Sequence, residues 1–286
     1  MEMTIAAMVL LSAAIHPVWN LLLKKEPDPQ LAYLGLTIVL ACCAALQIVI
    51  GGADFRAGLM VLPLIALSWC GQILYGTCLT ATYRRGDLSA YYPIIRASPV
   101  FIVIVGFLFL GHTYSPFVLA GILMAVAGGF LLLYRRGSHV FADPVPLGFA
   151  LLAMSGTGIY SIADAQLMES IAPEVQMLWV EGLLIPYYLA LFLRRRTHTR
   201  YDDTRDLMPR IAMLIIPGIM AYASYYLILL AFKWGGEVAA VTAVRQASIP
   251  VSVLLGGFFL REGSILRRLL AAVILAAGIV LIIVYG

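Results

Sequence analysis

The stretch YRRGDLSAYYPIIRASPVFIVIVGFLFLGH, Tyr83 to His112, returns in altered form as FKWGGEVAAVTAVRQASIPVSVLLGGFFLRE, Phe232 to Glu262. Gly86 aligns with Gly235 and Arg96 with Arg245 at a separation of about 149 residues, half of the 286-residue chain. Each copy opens on a Gly-led polar break and carries an arginine ten residues into apolar sequence. The register persists downstream, where Leu110-Gly111-His112 falls on Leu260-Arg261-Glu262 and Gly128 on Gly278. Upstream the match is looser, Trp19 lying against Tyr160 and Asn20 against Ser161. A duplicated apolar unit with an ionisable residue inside each copy predicts a membrane protein built as a repeat, with its binding site where the halves meet.

Composition agrees. The chain is 62% hydrophobic and 12% charged, with a mean hydropathy of +0.96, whereas soluble domains carry about 25% charged residues. A helical span needs about 20 apolar residues. Ten candidates follow, at 3–23, 31–50, 59–83, 88–110, 116–134, 147–165, 174–193, 211–232, 237–260 and 264–285. They leave no room for a soluble domain, and the net charge of +4 sits in short loops, which excludes a nucleic-acid-binding surface. Lys24, Lys25, Arg84, Arg85, Arg135, Arg136, the six arginines from Arg194 to Arg210, and Arg261, Arg267 and Arg268 all follow odd-numbered spans. Only Arg56 and Lys233 follow even ones. The positive-inside rule therefore predicts a multi-pass membrane protein with both termini away from the cytoplasm.

Five spans per half is an odd number, so the second half must enter the membrane inverted. The expected fold is all-α: ten transmembrane helices in two inverted five-helix repeats around a central cavity, with boundaries at 1–137, a linker 138–146, and 147–286. The first span lacks a basic leader region and contains His16, Pro17, Trp19 and Asn20, so it reads as a retained helix. Cys42, Cys43, Cys70 and Cys78 lie within spans and predict neither a disulfide framework nor a metal site. Small residues such as Gly121, Gly128, Gly129, Gly256, Gly257 and Gly278 read as helix-packing positions.

Arg96 and Arg245 are the sharpest candidates for chemistry. Placing arginine centrally in a span costs about 2.5–3.5 kcal/mol on insertion scales, so each must face a partner or a hydrated pathway. His16, Trp19 and Asn20 share one helical face, and His16 is the candidate for proton coupling. Asp164 and Glu181 are intramembrane carboxylates, each able to pair with an arginine or exchange a proton. Among the aromatics, mid-helix Tyr75, Tyr160 and Tyr222 are cavity candidates, with Gln72 and Gln246 as hydrogen-bonding companions. Tyr91, Tyr92, Pro93, Pro99 and Pro250 are gate candidates, because proline frees a backbone carbonyl and promotes kinks or local unwinding.

The motifs HPVWNLLLKK at 16–25, YRRGDLSAYYPIIRASP at 83–99 and FKWGGEVAAVTAVRQASIP at 232–250 resemble the drug/metabolite transporter superfamily, in its ten-helix EamA-type branch, over essentially the whole chain. That resemblance implies two inverted five-helix repeats and a central cavity lined by spans 1, 3, 4, 6, 8 and 9, with span 7 at the periphery. By placing span 7 there it implies that Asp164 ranks ahead of Glu181 for exposure to the pathway, and the location it implies is the bacterial inner membrane. It also implies transport of small metabolites or drugs, and in better-known relatives both termini are cytoplasmic, the reverse of the charge count here. The expected function is secondary-active transport of a small polar metabolite, amino-acid-like or otherwise anionic or zwitterionic, by alternating access. The expected partners are that solute, the bilayer and coupling protons, with no cofactor, metal or nucleic acid. A flippase for a lipid-linked or amphipathic substrate is the alternative, and a membrane-embedded sensor or enzyme stands further off. No Walker-type nucleotide motif occurs.

Overall fold

A computed structural model describes residues 1–23, 26, 28–85, 91, 94–133, 143–196, 207–251 and 265–285. Among them every regular element is helical. The helices are α1 (Met3–Leu23), α2 (Pro29–Gly51), α3 (Leu62–Arg85), α4 (Ser98–Phe109), α5 (Pro116–Leu133), α6 (Pro144–Met168), α7 (Pro173–Arg196), α8 (Leu207–Met213), α9 (Ile215–Lys233), α10 (Val238–Val244) and α11 (Ile265–Tyr285). A 3-10 segment, Phe55–Val61, leads into α3, and another, Arg245–Ala247, follows α10. Among the described residues six apolar segments are long enough to cross a membrane, and four shorter ones bring the apolar helices to the ten expected, with α8 and α9 forming one of them. Large apolar side chains such as Met60, Phe107, Phe109, Ile216 and Val284 lie open on the exterior.

Local chemistry sets where helices start. Asp28 caps α2 by accepting from the backbone N–H groups of Gln30 and Leu31, and Pro29 sits in the first turn, where a missing N–H is harmless. Asp143 caps α6 through Val145 N, and Glu237 caps α10 through Ala239 N and Ala240 N. Gly52 ends α2 in the left-handed region at φ +70°, with its N–H returned to Ile48 O.

Three helices break about one turn before a proline. Arg96 and Ala97 form a turn ahead of Pro99 in α4, Leu214 separates α8 from α9 ahead of Pro217, and the 3-10 segment Arg245–Ala247 precedes Pro250. Proline lacks the N–H that would reach the carbonyl four residues back, and its ring displaces that carbonyl, so the helix gives way there. Pro17 and Pro186 are instead carried inside α1 and α7.

The main packing partners are α3 with α6, α1 with α9, α2 with α7, and α5 with α11. Glycine makes two of these crossings tight. A Cβ on Gly156 would lie 2.6 Å from Tyr75 N, and one on Gly278 would lie 2.6 Å from Gly121 O. Gly121 and Gly128 meet α11 in the same way, as the packing reading expects; Gly256 and Gly257 lie outside the described residues. The α1–α9 crossing is polar at its centre: Ser12 Oγ donates to Ser224 O at 2.6 Å and Ser224 Oγ donates to Ser12 O at 3.1 Å, both residues being fully buried.

Candidate functional site

The two arginines stand at helix breaks that meet each other. Arg96 Nη2 donates to Ser248 Oγ at 2.6 Å, and Gln246 Nε2 donates to the carbonyl of Arg96 at 2.6 Å. Each contact joins residues about 150 positions apart, so the repeated RASP and RQASIP motifs interlock. The break exposes the Arg96 carbonyl, which a continuous helix would have occupied, and the Gln246 amide takes it. Arg245 lies half-buried beside this junction, and α1 packs against its 3-10 segment.

From α1, His16 and Trp19 present their rings at 5.0 Å in an edge-to-face arrangement. His16 is within electrostatic reach of both Arg245 and Arg96. Asn20 shares that face, but its amide donates to the carbonyl of His16 at 2.8 Å, so this donor is spent on its own helix. From α3 and α6, Tyr75 and Tyr160 meet with ring centroids 6.2 Å apart, and Tyr160 is within reach of both arginines and of Asp164. Gln72 lies one turn from Tyr75, next to Gly71, whose Cα packs on the Tyr160 backbone.

Buried polar atoms without a hydrogen-bonding partner gather in this neighbourhood: His16 Nδ1, Trp19 Nε1, Gln72 Nε2, Arg245 Nε and the acceptor Gln246 Oε1. Native interiors rarely leave such atoms unsatisfied. Trp19, Gln72 and Arg245 offer N–H donors, the imidazole nitrogen can be one, and only the Gln246 amide oxygen among these atoms is an acceptor. Donors thus outnumber acceptors among these unpartnered atoms.

Asp164 is fully buried at the edge of this group. Ser68 Oγ and Gln176 Nε2 donate to its Oδ1 at 2.6 and 2.7 Å, and the Tyr225 hydroxyl donates to Oδ2. Arg245 acts on it electrostatically. Tyr222 has other neighbours: its hydroxyl donates to Gln47 Oε1 at 2.6 Å, its ring stacks on Tyr226, and Gln47 in turn donates to the Tyr226 hydroxyl and reaches Glu174. Of the gate candidates, Tyr91 is buried in a small core with Cys78, Leu79, Ile95, Ala150 and Ala153. Pro99 opens α4, and Pro250 follows the second break. Tyr92 and Pro93 lie outside the described residues.

Sequence reasoning did not single out Ser248, Ser68, Gln176 or Tyr225 as partners of these groups. Ser248 and Gln176 carried a usable signal, since each is a polar residue in an apolar run close to a candidate already named.

Two cavities lie elsewhere, at the end of α4. One of about 120 Å³ is lined by polar groups that include His112, Tyr114, Gln166, Glu169 and Glu237. The other, about 490 Å³, is an apolar groove along Val103, Phe107 and Leu108 that shares Tyr114 with the first. Burial, and then the charge of Glu237, pushes the Tyr114 hydroxyl up to about 12, so it remains a neutral donor at any working pH. Neither cavity touches the arginines, so the candidate site rests on the convergence of buried polar atoms. Among the described residues no group of His, Cys, Asp and Glu could hold a metal ion.

No protein-family model and no curated protein matches the chain. A crystal structure described only as that of a protein superposes with a TM-score of 0.72 at 17% identity, covering 97% of this chain and 94% of that one. That likeness extends to the fold.

Proposed function

We propose that this chain is an EamA-type member of the drug/metabolite transporter superfamily, embedded in the bacterial inner membrane, which carries a small anionic or zwitterionic metabolite by alternating access. The observation that carries the reading is the excess of buried, unpartnered N–H donors around two arginines at facing helix breaks. Unpaired N–H groups beside guanidinium charges suit a carboxylate or phosphonate, which offers acceptors in the planar or tripod geometry arginine binds best.

The packing scheme supports an inverted repeat. Advancing each span by five turns the α3–α6 pair into the α9–α1 pair, and returns the α2–α7 and α5–α11 pairs to themselves. A scheme unchanged by that exchange is what a pseudo-twofold axis between halves produces. The apolar exterior supports lipid as its solvent. Helix breaks lining a polar interior are the arrangement in which irregular backbone is tolerated at membrane depth.

The test is ligand stabilisation of the purified protein by amino acids, aminophosphonates and sugar phosphates, followed by uptake into proteoliposomes. Arg96→Ala and Arg245→Ala each remove a charge-assisted contact of about 1.5–3 kcal/mol, and should weaken binding roughly 10- to 100-fold. Correctly inserted variants that both transport like the parent would remove the arginines from the pathway. The groove beside the Tyr114 pocket favours a second reading, an amphiphile with its tail at Phe107 and its head at Tyr114. Stabilisation by lipid phosphates and by none of the short metabolites would select it.

A further inference from the structure

Asp164 and Glu181 are two buried carboxylates with opposite surroundings. Asp164 accepts three hydrogen bonds shared over both oxygens, from Ser68, Gln176 and Tyr225. That pattern suits an ionised carboxylate, which is acceptor-only. Glu181 sits on α7 about 12 Å from its first residue at 1.5 Å per residue, and is 5% exposed. Among the described residues, no hydrogen bond or ion pair reaches its carboxyl. Gln176, also fully buried on α7, spends its amide N–H on Asp164 and leaves its Oε1 without a donor. The locality thus holds one satisfied anion, one bare carboxyl and one acceptor without a hydrogen.

Among the described residues, the groups around Glu181 offer no compensating cation. Asp164 acts on it from α6, and it acts in turn on Tyr225 from α9 and on Tyr188 of its own helix. Tyr33 of α2 stacks on Tyr188 at 5.6 Å. From α3 come Ser68, already bonded to Asp164, and Thr77, bonded to Tyr187. The 3-10 segment before α3 contributes Arg56, which is exposed.

We propose that Glu181 is the proton-carrying group of this protein, protonated in the conformation described, while Asp164 remains a fixed anion facing Arg245. The inference rests on the transport reading and deepens it. One proton binds the Glu181 carboxylate from one side of the membrane and leaves to the other in each cycle, so solute movement follows the proton gradient. His16, the sequence's candidate for coupling, instead belongs with the solute-binding groups.

Infrared spectroscopy of the purified protein at neutral pH tests the first half. The parent should show a carboxylic-acid C=O stretch that is lost in Glu181→Gln, shifted in Glu181→Asp, and retained in Asp164→Asn. Absence of that band from the parent-minus-Glu181→Gln difference overturns the proposal, as does a band that follows Asp164. Should Glu181→Gln fail to purify, the Glu181→Asp shift alone decides. In proteoliposomes, Glu181→Gln should keep solute counterflow and lose uptake driven by a pH gradient. A variant that still responds to the gradient like the parent also overturns it. A parent that shows the band yet moves no solute would instead remove the transport reading.

Discussion

The Asp164 cluster shows how a single buried charge organises its neighbours. Three donors from α3, α7 and α9 converge on one carboxylate of α6, so the four helices are tied through one side chain. Ser68→Ala or Tyr225→Phe should each remove a hydrogen bond to a charged group and cost about 1.5–3 kcal/mol. The readout is a lower melting temperature in detergent, and unchanged melting of both variants would show that the cluster does not hold the bundle. Arg96, Arg245 and His16 were legible in the sequence because an ionisable residue in an apolar run has no ordinary reason to be there. Which groups they pair with was not legible, although Gln246 stood among the candidates and Ser248 carried a signal. Ser248 and Gln246 reach Arg96 only because two breaks about 150 residues apart fold together, and nothing local to either residue specifies that.

At the scale of elements, proline placement decides where the helices open. Pro99→Ala restores an N–H and removes the ring clash, allowing α4 to extend back through Arg96. The expected outcome is equal or higher thermal stability with weaker solute binding, measured by unfolding and by ligand-induced stabilisation. Equal binding would show that the break does not present Arg96. The α3–α6 crossing makes the complementary point. Gly156→Leu drives a Cβ to 2.6 Å from Tyr75 N, and overpacking of this kind costs about 1–3 kcal/mol or more. A lower melting temperature together with loss of the Tyr75–Tyr160 contact is expected, and an unchanged melting temperature would contradict the close approach. Sequence alone identified the glycines of α5 and α11 as packing residues, yet it left Pro17 and Pro186 indistinguishable from the prolines that break helices.

The whole molecule is held at one end by a polar tie. Arg210, in α8, donates through Nε to Glu26 Oε2 at 3.0 Å and through Nη2 to Oε1, while Asp28 N also donates to Glu26. Positive-inside counting predicts that this end of the bundle faces the cytoplasm and both termini the other side. A C-terminal alkaline phosphatase fusion should therefore be active and a C-terminal fluorescent fusion dark; a bright fluorescent fusion would reverse the assigned orientation.

Apolar runs, proline and glycine positions and the half-length repeat determined the helical class, the number of apolar helices and the residues too polar for lipid, because each is a property of the chain read locally. Only the tertiary structure decided that α3 faces α6, that one helix break fills the other, and that Asp164 is surrounded by donors while Glu181 has none among the described residues. Those outcomes depend on which helices approach, and approach is set by surfaces distant in sequence.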